Sequence, residues 1–143
     1  MRVLLIIALL TLAGCGSRET VTTKSPYSKS EVFDLEIRVI KNDVDAMKKL
    51  QEHYDFAHMY DKREDMHQKL LALDDYDAMI EESEILSLDA DEVTDKTAKK
   101  RLLDKAMALA VKAANKMQVK DVSKDPSVKM IQKDLDNLEM ERK

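Results

Sequence analysis

Two glycines and two prolines in 143 residues deny this chain the usual means of building a sheet. Tight hairpin turns depend on residues that take positive φ, above all glycine, and strand-rich chains carry one at most reversals. Here the glycines are Gly14 and Gly16, close to the N-terminus, and the prolines are Pro26 and Pro126. Between them stands a sequence dominated by Ala, Leu, Lys, Glu, Asp and Met, most of them good helix formers. The expectation is an all-α fold.

Apolar periodicity and capping residues divide the chain after Ser28 into about six helices. Ser28 and Glu31 have capping-box spacing and open a first helix carrying Val32, Phe33, Leu35, Ile37 and Ile40. Asn42 or Asp43 caps a second, with Val44, Met47, Leu50, Tyr54 and Ala57 at three- and four-residue intervals. A third is expected from about Asp61 to Leu73, with Met66, Leu70 and Leu73 inward, and Asp74 and Asp75 interrupt the chain there. A fourth carries Tyr76, Met79, Ile80, Ser83 and Leu86, and residues 88–95 read as an acidic loop. A fifth runs from about Asp95 to Gln118, with Ala98, Leu102, Ala106, Leu109, Ala110, Ala113 and Met117. Asp125 as cap and Pro126 at the first helical position start the last, whose stripe is Val128, Ile131, Leu135 and Leu138. Short connections between amphipathic helices favour antiparallel hairpins. The expected architecture is a short stack of such hairpins, repeat-like or a small bundle.

The N-terminus has a different character. Met1 and Arg2 precede an almost wholly aliphatic run from Val3 to Leu12, followed by Leu12-Ala13-Gly14-Cys15. A charged start, a short apolar run and small residues before a cleavage point make a secretory signal peptide. The run is too short for a transmembrane helix, which needs about twenty residues. Leu-Ala-Gly-Cys resembles the lipobox of bacterial lipoproteins. The resemblance implies cleavage before Cys15 and acylation of both its thiol and its new amine, which makes anchoring stable. Cys15 is the only cysteine, so no intramolecular disulfide forms. The chain then divides into a signal peptide over 1–14, a lipidated cysteine with a Ser- and Thr-rich tether over 15–29, and a helical domain over 30–143. As a flexible coil, a tether of about fourteen residues holds a domain on the order of 20 Å from its anchor. Gly16 stands where the resemblance would place an inner-membrane-retaining Asp, which points to the outer membrane, facing the periplasm.

Asp43-Val44-Asp45-Ala46-Met47 and Asp75-Tyr76-Asp77-Ala78-Met79 match at a period of 32. Such periods mark stacked helix-turn-helix units, each of which needs its neighbour to cover an apolar face. With Leu50, Tyr54, Ala106 and Ala113-Ala114, the pattern over roughly residues 41–116 resembles the Sel-one-like branch of the tetratricopeptide superfamily. In that family helix A opens on Ala, packs Leu and Tyr inward, and helix B ends in Ala-Ala. This chain departs from the pattern: Glu82 and Leu86 replace Leu50 and Tyr54 in the second copy, Leu70-Leu71 stand where Ala-Ala is usual, and Asp74 occupies a loop-glycine position.

Nothing in the sequence marks out catalysis. His53, His58 and His67 lack the i, i+4 spacing of two zinc ligands on one helix and read as surface or helix-flank residues. Asp89, Asp91, Glu92 and Asp95 resemble a calcium loop without its glycine, and position twelve from Asp89 is Lys100 instead of Glu; a solvated acidic loop is the simpler reading. No metal and no cofactor are expected. The methionines read chiefly as core filler. Removal of Arg2 with the leader takes the net charge from −4 to −5, and no basic patch favours nucleic acid. The expected role is therefore non-enzymatic: a protein-binding module or assembly factor tethered to the membrane by its lipid, with a protein or peptide partner that an acidic surface would steer if basic. Tyr54, Tyr60 and Tyr76, with Phe56, are candidates to line its groove. The family resemblance also admits an immunity-type lipoprotein that neutralises a toxin, and a structural envelope spacer is the rival class.

Overall fold

A computed structural model of the chain describes residues 25–140; Cys15, the leader and most of the tether lie outside them. The fold is all-α. Six helices follow one another: α1 (Lys29–Val39), α2 (Val44–Phe56), α3 (Tyr60–Ala72), α4 (Tyr76–Glu92), α5 (Lys96–Lys116) and α6 (Pro126–Met140), with one 3₁₀ turn at Val122–Lys124 before the last.

Each helix start but one is set by a side chain that accepts an otherwise unpaired backbone N–H. Ser28 and Glu31 form a reciprocal capping box, Glu31 Oε2 accepting from Ser28 N at 2.8 Å. Asp43 accepts from Ala46 N at 3.1 Å, Asp75 from Ala78 N at 3.2 Å and Asp95 from Ala98 N at 2.7 Å. Asp125 accepts from Ser127 N at 3.0 Å, ahead of a helix that begins at Pro126. The helix α3 has no side-chain cap.

Four helices end alike. Asn42, His58, Asp74 and Gln118 take φ of 55–58°, the left-handed region that glycine normally supplies. The residue after each returns its N–H to the carbonyl five positions back: Asp43 to Arg38, Met59 to Tyr54, Asp75 to Leu70 and Val119 to Ala114. The left-handed residues 42, 58 and 74 fall sixteen apart, which sets the reversals from α1 to α4.

Two hairpins form the body, α2 with α3 and α4 with α5; α1 packs on α2, and α6 packs on α5 and α4. The second hairpin is the first with an extension at its loop end. Both turns have three residues, 57–59 and 93–95, but α4 has 17 residues against 13 in α2, and α5 has 21 against 13 in α3. The extension carries Ala90, which is fully buried in a cluster with Leu103, Ile131 and Leu138, so α6 covers the part of hairpin two that hairpin one lacks. A second cluster holds Leu35, Met47, Leu50, Tyr54, Met66 and Leu70. Ala106, Ala110, Ala113 and Ala114 are all fully buried, and these small side chains let α5 lie close against α4.

The structure departs from the sequence reading at several places. Residues 88–92 are the end of α4, and Asp95 is the cap of α5. Ser83, Ser87 and Ala90 extend the buried face of α4, and their burial outweighs the turn-like density of acids. Only Leu35 of α1 is buried; Phe33, Ile37 and Ile40 are exposed, as is Leu73 at the end of α3. Ser25–Ser28 pack on α2 instead of extending the tether: Ser25 Oγ meets His53 Nδ1, and the Tyr27 hydroxyl donates to Glu52 Oε2 at 3.0 Å.

Two substitutions test these helix ends by urea unfolding. Gln118→Gly relieves a left-handed side chain and raises stability by about 0.5–1 kcal/mol; a fall would show that Gln118 is not left-handed. Asp75→Ala lowers stability by about 1–2 kcal/mol through loss of the cap.

Candidate functional site

Helices α2 and α4 each carry a floor; α1 and α3 flank the first, and α3 and α5 the second. The result is two grooves on one face. The first, of about 290 Å³, lies between α1 and α3 over Leu50 and Tyr54, and the second, of about 380 Å³, lies between α3 and α5 over Met79, Glu82 and Leu86. Seven positions of one lining have counterparts in the other. A shift of 32 takes Val39, Leu50 and Tyr54 to Leu71, Glu82 and Leu86, and a shift of 43 takes Lys62, Asp65, Met66 and Lys69 to Lys105, Ala108, Leu109 and Lys112. The larger shift contains the hairpin-two extension. Each groove therefore has a largely apolar floor, interrupted in the second by Glu82, and two lysines seven residues apart on its far helix, i and i+7 being one helix face.

The lysines are held differently. Lys62 lies over the Tyr54 ring, 5.2 Å from its centroid, and Lys69 pairs with Asp65. Lys112 pairs with Asp74, whose carboxyl it holds below the usual range. Lys105 has no partner among the described residues. With Glu36 and Asp65 on the first groove and Asp74 and Glu82 on the second, this face balances charge and does not share the acidic bias of the whole chain.

Tyr54 is 4% exposed and forms the floor of the first groove. Its hydroxyl donates to Glu36 Oε1 at 3.0 Å. Burial, then this carboxylate, pushes the phenol up to about 12, because both disfavour the phenolate. Tyr60 is exposed at the start of α3, with its hydroxyl 3.1 Å from His58 Nδ1, in a shallow surface depression that shares Lys62 with the first groove. Tyr76 is half-buried at the first position of α4 and lines neither groove. Phe56 is exposed near the end of α2. The three tyrosines thus do not form one surface: Tyr54 lines a groove, Tyr60 borders it, and Tyr76 stands at a helix start.

What aligns the two grooves is a polar joint. From α2, Lys48 reaches Asp75 at 3.0 Å and Asp77 at 2.6 Å, and Gln51 donates to Glu81. From α3, Arg63 pairs with Glu81, and His67 Nε2 lies 3.1 Å from Glu82 Oε2. A carboxylate only accepts, so Nε2 carries the proton. His67 is 1% exposed, which corrects the reading of it as a surface histidine. Its Nδ1 lies 3.4 Å from Glu81 Oε2 without a hydrogen bond. Glu82 takes the place of Leu50 in the second copy because it faces this buried ring. Nothing in the spacing of three isolated histidines signals the pair. The groove lysines do leave a signal, Lys-x-x-x-Met/Leu-x-x-Lys, at 62–69 and again at 105–112.

Among the described residues no group of three or more His, Cys, Asp or Glu is placed to hold a metal ion, and no helix is long and apolar enough to cross a membrane. Comparison with protein-family models, curated proteins and solved structures finds no match to this chain.

Two measurements follow. Glu82→Ala strips His67 of its partner and lowers stability by about 1–3 kcal/mol; an unchanged unfolding midpoint would remove the joint from the account. In an absorbance titration, one of the four tyrosines ionises near pH 12, and Glu36→Gln brings it down. The folded-state pKa of Tyr54 lies above the ordinary phenol value of 10.0, so its share of stability is complete below pH 10 and is lost as pH rises through 12.

Proposed function

We propose that the chain is a lipid-anchored lipoprotein of the bacterial envelope, facing the periplasm from the outer membrane, and that it holds a protein partner without catalysing a reaction. The twin grooves carry this reading. Two equivalent sites on one face, each with a largely apolar floor and a pair of lysines, suit one continuous segment of another protein lying across both. Helical-repeat proteins commonly bind this way, through extended surfaces built from successive units. The period-32 unit, with Asp43 and Asp75 as equivalent caps, supports the likeness to tetratricopeptide-type repeats. The signal sequence ending at Cys15 supports the anchor, with membrane contact through the lipid and partner contact through the helical domain.

The test is an affinity pull-down from detergent-solubilised envelope, with the intact lipoprotein, a Cys15→Ala control and a Lys62→Glu/Lys105→Glu variant. The intact protein retains a stoichiometric partner in high salt, and the charge-reversed variant loses at least about tenfold in affinity, or 1.4 kcal/mol, with unchanged helical circular dichroism. The partner's identity distinguishes an envelope assembly factor from a toxin-neutralising protein. Absence of a stoichiometric partner, or equal retention by the variant, contradicts the reading.

A further inference from the structure

The first helix is apolar on two sides. Val32, Leu35 and Val39 pack into the core with α2. On the other side Phe33, Ile37 and Ile40 are 61%, 41% and 82% exposed, and Ile40 also stands at the rim of the first groove. Their spacing of four and three residues makes one continuous stripe about 10 Å long. Single exposed apolar side chains are ordinary, but a contiguous stripe on one helix marks a contact surface.

The charges around the stripe are unevenly engaged. Glu31 is occupied by the backbone of Ser28, Glu36 by the Tyr54 hydroxyl, and Arg38 by Asp43 and Asp45. Lys29 and Lys41, at the two ends of the stripe, have no partner among the described residues. Of the carboxylates on α1 only Asp34 is without one among the described residues, and it stands beside the stripe, three residues before Ile37.

The position of α1 in the chain identifies the surface it meets. Ser25 stands ten positions after Cys15, and there the chain is held against α2 through His53. Ten residues reach at most about 35 Å and as a coil average about 17–19 Å. The element nearest the anchor along the chain is therefore the one that presents an apolar stripe with, at each end, a lysine that has no partner among the described residues. A second copy of the chain fits less well. Three side chains expose on the order of 300 Å², well short of the roughly 800 Å² per partner of a stable interface.

Resting on the lipid-anchor reading, we propose that the Phe33–Ile37–Ile40 stripe of α1 is a second membrane contact, lying in the headgroup layer of the bilayer that holds Cys15, with Lys29 and Lys41 against lipid phosphates. A tether this short gives an effective concentration in the millimolar range, so a weak contact suffices. The contact turns a domain on a string into one with a fixed orientation.

The chain has no tryptophan, so Phe33→Trp introduces a single reporter. The mature lipoprotein is reconstituted into phosphatidylethanolamine–phosphatidylglycerol vesicles with and without brominated acyl chains. The proposal expects blue-shifted emission and quenching of about twofold by bromine at the depth of an interfacial helix. It also expects Ile37→Asp/Ile40→Asp in the same background to abolish both without changing the circular dichroism. A tryptophan at Leu88, 68% exposed on α4, stays unquenched. Unquenched emission from position 33 in an anchored protein overturns the proposal, and emission that is blue-shifted yet unquenched assigns the stripe to a second copy. Mass spectrometry of the Cys15 peptide tests the anchor separately. If it carries no lipid, coupling the same thiol to a maleimide lipid restores the tether, and the emission still decides.

Discussion

The reversals from α1 to α4 turn on a residue in left-handed conformation, and at two of the three its successor is the aspartate that caps the next helix. Asn42-Asp43 and Asp74-Asp75 are these pairs. One residue closes the outgoing carbonyls and the next receives the incoming N–H groups, so both sets of orphan backbone groups are satisfied within two residues. No loop length is left over to vary. Helices joined this tightly lie side by side, and because the pair recurs after 32 residues, α2 and α4 begin in equivalent settings with Ala46 and Ala78, Met47 and Met79 buried alike. The grooves follow from that equivalence.

Between the hairpins the chain uses polar groups where a simple bundle would use apolar ones. Glu81 and Glu82 of α4 are met by Gln51, Arg63 and His67, and Ser83 closes on the carbonyl of Ile80. A buried polar pair contributes little net stability compared with good apolar packing. Its geometry is demanding, however: a carboxylate opposite an imidazole fixes the sliding of α3 against α4 in a way that Leu against Leu does not. One apolar cluster gathers α1, α2 and α3 and reaches Ala78 of α4, and the other gathers α4, α5 and α6. The joint sets how the grooves align, and the clusters hold each hairpin together.

Helix number and starts were legible because capping is local. Ser28, Asp43, Asp75 and Asp125-Pro126 stand in the sequence as they act in the structure. What was not legible depended on neighbours. The acids at 89–92 look like a loop until Ala90 is seen buried against the cluster that α6 completes. Phe33, Ile37 and Ile40 look like core because periodicity records that a face is apolar and not whether anything covers it. Tyr54 was found as a groove residue, while Tyr76 has the same residue type without the position. His67 was missed because burial of an isolated histidine is decided by Glu82, fifteen residues away on another helix.

The proposed binding of one partner across both grooves requires them in fixed register, and the His67–Glu82 contact joins α3 to α4 between them. The most direct measurement is the nuclear Overhauser spectrum of the folded domain in solution. Cross-peaks between the His67 ring protons and the Glu82 methylenes, together with residual dipolar couplings that fit both hairpins to one alignment frame, are the predicted result. Missing cross-peaks with a separate alignment frame for each hairpin would show that the hairpins move independently, and would contradict the account.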